Sequence, residues 1–220
     1  MFVVFAVTHV GQESLQVFRT PDDYASRLLA NPFGLELTLW LDDAFILFYV
    51  TTFLTLAVVR WHVRETRALL VAATVLLCIT GALDLMENLD FLVKLRAAEA
   101  GVSPTAEAIA TRVWSSLVKF HASYIGLWLL GHAMPTATKL EKAFAFSLRW
   151  FQWPVGFAVA LVPPKAGVAL VIVRLCFFLF SLVALYRVSG RTGFAGPSAA
   201  PSQSAQVHGR DSEVLRDQLA

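Results

Sequence analysis

The sequence predicts an all-α protein, a polytopic membrane helix bundle with about five transmembrane helices. Two observations carry this expectation. The 220 residues are 57% hydrophobic and only 15% charged, where a soluble domain carries roughly a quarter charged residues. The shortfall is also concentrated, because long apolar runs alternate with short charged clusters, the pattern of a chain that crosses a bilayer repeatedly. The length suits one bundle without a separate globular domain. A net charge of +2 is too small to argue for a nucleic-acid partner, so the expected partner is the lipid bilayer.

The first 36 residues read as an extramembrane segment. Residues 1–10 are apolar but lack a basic start and a small-residue cleavage site, so they do not read as a signal peptide, and they are too short to span. Thr20-Pro21-Asp22-Asp23 is a helix start: Thr supplies the capping oxygen, Pro suits the first helical position, and acids favour the first turn. Asn31-Pro32 stops that helix, and Leu28 and Leu29 beside Arg27 suit a membrane surface.

Residues 37–188 read as the five-helix bundle. The first span covers about 37–59 and ends in Arg60, Trp61, His62 and Arg64. The second covers about 68–93. Gly101-Val102-Ser103-Pro104 makes a loop and then a helix start. The third span covers about 112–133, stopped by Pro135. Thr138-x-x-Glu141 is a capping box, in which each side chain satisfies a free backbone donor of the other residue. The fourth span follows, to Pro163-Pro164, with a kink expected at Pro154, where Gln152 or Arg149 would satisfy the freed Trp150 carbonyl. The fifth covers about 167–186. From 189 onward Gly, Pro, Ser, Ala and Gln dominate, a composition that buries too little apolar surface to offset its ordering entropy, so the tail is expected to be disordered. Trp40, Trp61 and Trp114 read as interface anchors. Cys78 and Cys176 lie inside apolar runs and read as small hydrophobes.

Lysine and arginine counts on the two sides are about seven to five. This bias favours a cytoplasmic C-terminus and an external N-terminus in a cell membrane. No internal repeat is visible, which weighs against a repeat-built transporter.

Charge interrupts every span. Taking about 1.5 Å of rise per residue and a hydrocarbon core of about 30 Å, Asp43 and Asp84 fall roughly 10 Å beyond the midplane in the outer leaflet. Asp42 and Glu87 are shallower on that side, and Lys119 and Arg174 lie roughly 5 Å beyond the midplane. Antiparallel topology brings these groups to one end of the bundle. Asp84, Glu87 and Asn88 stand at i, i+3 and i+4 and share a helix face. Ser116, Lys119, Ser123 and Gly126 form another stripe, while His121 falls on a different one with Trp114, Ile125 and Trp128. An unpaired charge near the bilayer centre costs about 2.5–3.5 kcal/mol, so the charges should pair, face water, or both.

The candidate ligand-binding set is therefore Asp43, Asp84, Glu87, Asn88, Lys119 and Arg174. Asp84 is expected to face the interior within reach of Lys119 or Arg174, with Glu87 and Asn88 lining an outward opening. Three readings follow. In the first the cluster binds or translocates a small polar solute, an ion or proton, or a lipid headgroup. In the second the chain is a membrane-embedded enzyme on a lipid-like substrate, with the acids as general acid/base groups or hard-metal ligands. HExxH, GxSxG and DDxxD patterns are absent, so no metal and no cofactor is expected. In the third the charges only hold helices together. A hollow open to the outer side would favour the first two readings, and a filled, paired core the third.

Overall fold

A computed structural model describes residues 12–152 and the isolated helical positions 154, 173, 176, 180, 183, 186 and 187. Among the described residues every regular element is helical. A short 3₁₀ turn, Gln12–Leu15, precedes α1 (Pro21–Leu29), α2 (Pro32–Arg60), α3 (Arg67–Glu99), α4 (Ala106–Ala133) and α5 (Lys139–Phe146). A π-helical turn, Ser147–Phe151, continues from α5. Arg174, most of the fourth and fifth spans and the tail from 189 lie outside the described residues.

The helix starts follow the capping residues. Thr20 accepts from the Asp23 N–H and Pro21 opens α1. Asn31 ends that helix and begins the next: its Oδ1 accepts the Gly34 N–H at 2.9 Å, with Pro32 in the first turn. A Cβ at position 34 would stand 2.7 Å from Asn31 Nδ2, so a side chain there would push the capping amide aside. Thr105 caps α4, and Thr138 with Glu141 closes the capping box of α5. At the end of α3, Gly101 adopts φ 80°. Its N–H bonds the Ala98 carbonyl and the Val102 N–H bonds the Ala97 carbonyl, the pair of bonds that closes a helix through a left-handed glycine.

The helices outrun the apolar runs. α2 begins five residues before position 37, and α4 begins six before 112. Apolar composition marks where lipid would lie, whereas caps mark where helix begins, and the two boundaries differ.

Two helices, Pro32–Arg60 and Arg64–Glu99, are long and apolar enough to cross a membrane. α4 is of similar length, but Lys119, His121 and its serines make it less apolar. α3 is central and packs against α1, α2 and α4. Large apolar side chains face outward along all three long helices, among them Phe48, Val58, Met86, Leu89, Trp114 and Val118.

Inside, the apolar core is split in two. One cluster joins Ile46, Tyr49 and Phe53 of α2, Leu70 and Leu77 of α3, Leu127 and Leu130 of α4, and Phe144 and Leu148. The other joins Leu15, Tyr24, Leu28, Leu35, Leu39, Phe91, Leu95 and Ile109, where the N-terminal segment covers the bundle end. Gly126 lets α3 and α4 approach, since a Cβ there would meet Leu77 Cγ at 3.0 Å.

Candidate functional site

A polar layer lies between the two apolar clusters, built by the N-terminal half of α2, the C-terminal half of α3 and the N-terminal half of α4. The antiparallel register sets Asp42 and Asp43 beside Asn88, Tyr49 beside Asp84, and Ser116, Lys119 and Arg112 beside the Asp84–Asp90 stretch.

Glu87 is the hub, with its side chain 1% exposed. It accepts from Ser116 Oγ and from Lys119 Nζ. Gln16 Nε2 reaches it at 3.2 Å and Arg112 at 3.6 Å. Lys119 also pairs with Asp84 at 2.8 Å, and Tyr49 donates its hydroxyl to the other Asp84 oxygen at 2.6 Å. Asn88, fully buried, donates to Asp42 at 3.0 Å and Asp43 at 2.8 Å. Gln12 Nε2 touches Asp42 at 3.4 Å and Asn88 Oδ1 at 3.3 Å. One turn farther along α3, Asp90 holds Arg112 at 2.8 Å and also pairs with Lys94.

Of the sequence-predicted set, the structure brings Asp43, Asp84, Glu87, Asn88 and Lys119 together, and Arg174 is outside the described residues. Asp84 meets Lys119 directly. The Ser116, Lys119 and Gly126 stripe is buried, while Trp114, His121, Ile125 and Trp128 point outward. His121 Nδ1 lies 2.7 Å from the Leu117 carbonyl oxygen.

Two expectations need correction. Glu87 and Asn88 do not line an opening: Gln12 and Gln16 of the N-terminal turn cover them. Among the described residues, an open groove of about 350 Å³ is lined instead by Asp90, Lys94, Thr105, Glu107, Thr111 and Arg112. Nor do Gln152 and Arg149 serve the Trp150 carbonyl. Gln152 Nε2 is buried without a partner, and Arg149 Nε donates to the Gly131 carbonyl at 2.9 Å. The physical reason is the end of α4 at Ala133, after which Met134 is extended. The Gly131 carbonyl is one of the last four of the helix and has no intrahelical donor, so Arg149 supplies one.

Sequence reasoning missed Gln12, Gln16, Tyr49, Asp90, Lys94 and Arg112. Asp90 was findable, because it stands at i+3 from Glu87. The two glutamines sit in a short turn without periodicity and gave no signal.

Five carboxylates (Asp42, Asp43, Asp84, Glu87, Asp90) thus share the layer with three bases (Lys94, Arg112, Lys119). Among the described residues, Asp42 and Asp43 have amide donors but no ion-pair partner. Outside the long helices, burial pushes the Tyr24 hydroxyl above its ordinary range, and Asp90 adds to this. That hydroxyl has no hydrogen-bond partner. The Arg19 hydrogen bond, helped by Arg27, holds the Asp23 carboxyl below its usual range. No group of three or more His, Cys, Asp or Glu among the described residues is arranged to hold a metal ion. Set beside known proteins, the chain matches no family model, no curated protein and no solved structure.

Proposed function

We propose that this chain is a multi-pass membrane protein of five spans, with its N-terminus outside, whose polar layer binds a proton or small cation entering from the outer side. Support for the membrane comes from the inverted distribution of side chains. Phe48, Met86, Leu89 and Val118 are each about 60% exposed, while Glu87, Asn88 and Lys119 are buried between helices. A bundle surrounded by water would expose the second set and bury the first. α4 serves as the third span, because it lies antiparallel to α3 along the same length.

The observation that carries the ligand reading is the pair Asp42 and Asp43. Both touch Asn88, both are only partly exposed, and neither forms an ion pair among the described residues. Carboxylates so placed meet their electrostatic need by taking a proton or a cation, the usual role of unpaired acids within a membrane bundle. The Glu87 side of the layer supports the structural reading instead. It is filled and paired, and it ties α3 to α4. The layer therefore divides: Glu87 and Lys119 lock helices, and Asp42 and Asp43 take the ligand.

The test is the melting temperature of detergent-purified protein across pH and across sodium, potassium and ammonium. Wild type should show a cation- or proton-dependent rise that Asp42→Asn/Asp43→Asn abolishes while remaining folded. An identical response in both proteins refutes the ligand reading and leaves the structural one.

A further inference from the structure

Twelve of the described lysines and arginines, all but Arg187, divide into two equal groups. Arg19, Arg27, Lys94, Arg96, Arg112 and Lys119, at the end where the polar layer lies, all pair with carboxylates. Arg60, Arg64, Arg67, Lys139, Lys142 and Arg149 belong to the other end, and no ion pair forms on any of them among the described residues. The two acids nearest them cannot neutralise that end. Glu141 is turned onto the Thr138 N–H at 2.8 Å, and Glu65 stands alone.

The turn between α2 and α3 concentrates this unused charge. Arg67 is committed within the turn, with its Nε on the Trp61 carbonyl at 3.1 Å and its guanidinium 5.0 Å from the Trp61 ring centre. Arg64 is exposed. Arg60 Nε and Thr66 Oγ1 are both buried donors without an acceptor. α3 has no side-chain cap of its own and follows directly on a 3₁₀ turn, Arg64–Thr66, that carries the exposed Glu65. Cation and hydroxyl therefore lack the same partner, an anionic oxygen.

We infer that this turn docks the phosphate of an anionic phospholipid, with Arg60, Arg64 and Thr66 as its donors. A lipid is the occupant because the turn joins the two helices that are apolar enough to cross a membrane, which sets it at headgroup depth. Trp61, half exposed beside the arginines, suits that depth as well. The inference rests on the membrane reading above but not on the ligand assigned to Asp42 and Asp43.

The experiment reconstitutes the full chain in bilayers containing brominated phosphatidylglycerol or brominated phosphatidylcholine. It reads the tryptophan quenching that Trp61→Phe removes. A basic residue near an anionic surface contributes about fivefold in affinity. Wild type should therefore prefer phosphatidylglycerol by at least fivefold at Trp61, and Arg60→Gln/Arg64→Gln should bring the ratio near one. A wild-type ratio of one overturns the inference without recourse to any variant, as does an unchanged ratio in the double variant. Alkaline carbonate extraction of native membranes separates the two failures. Release of the chain overturns the membrane reading itself, whereas retention with no lipid preference overturns only the docking.

Discussion

Lys119→Met is the sharpest perturbation the polar layer offers. The Lys119 side chain is 5% exposed and pairs with both Asp84 and Glu87, themselves 19% and 1% exposed. Methionine fills a similar volume, so the change removes charge with little loss of packing. It leaves two carboxylates facing one another with Tyr49, Ser116, Gln16 and a 3.6 Å Arg112 as their remaining support. Breaking a buried ion pair from one side costs about 3–5 kcal/mol, because the abandoned charge stays buried. For a chain of this size each kcal/mol shifts the melting temperature by roughly 2–4 °C, so Lys119→Met should melt roughly 6–20 °C below wild type. Adding Asp84→Asn removes one abandoned charge and should restore part of the loss. The assay is thermal melting of wild type, both single variants and the double variant in one detergent. Arg112→Met is the comparison, and should cost less because Lys94 still holds Asp90. A Lys119→Met protein melting within a degree of wild type, or coupling with Asp84 below about 0.5 kcal/mol, would refute the reasoning.

Three further outcomes follow from other parts of the molecule. Gly81→Ala should destabilise by about 1–3 kcal/mol, since its Cβ would stand 2.5 Å from Val50 Cγ2 and a β-branched side chain in a helix has little freedom to turn away; chemical denaturation in mixed micelles measures this. Asp23 is depressed below its ordinary pKa of 3.8 in the folded protein, so its contribution is complete above that value and lost as pH falls through the lower folded one; amide exchange in α1 should be faster in Asp23→Asn than in wild type at neutral pH, with the gap closing in acid. Arg64→Cys and Ser103→Cys should differ in labelling by an impermeant thiol reagent applied outside, with only position 103 reacting, and equal labelling would sink the proposed topology.

Much of the site was legible because its signals were local or periodic. Asp84, Glu87 and Asn88 could be set on one face by helix spacing alone, and Lys119 could be matched to them by depth and antiparallel order. The separation of the Lys119 stripe from the His121 stripe follows from the same periodicity. The capping motifs at Thr20 and Thr138 are equally local. What escaped depends on tertiary contact. Gln12 and Gln16 lie more than 70 residues from Asn88 and Glu87, and no pattern in a short turn and the bend after it says where they will dock. Arg149 is close in sequence to the hydrogen bond that Pro154 would break, but packing brings it to the open C-terminal end of α4.

The length of α3 has a consequence for the kind of membrane this protein suits. At about 1.5 Å per residue, its 33 residues reach about 50 Å, well beyond a hydrocarbon core of about 30 Å. In the proposed topology, with Arg67 at the inner boundary, Asp84 would sit about 25 Å along the helix and Asp90 about 35 Å. The layer then straddles the outer boundary, with Asp84 just beneath it and Asp90 just above. A few ångströms of bilayer thickness decide how much of the layer is wet. Thin membranes would hydrate Asp84 and loosen its hold on Lys119, and thick ones would draw Asp90 and Arg112 into hydrocarbon. The protein is in that sense a depth gauge, its charged rungs read against the lipid around it.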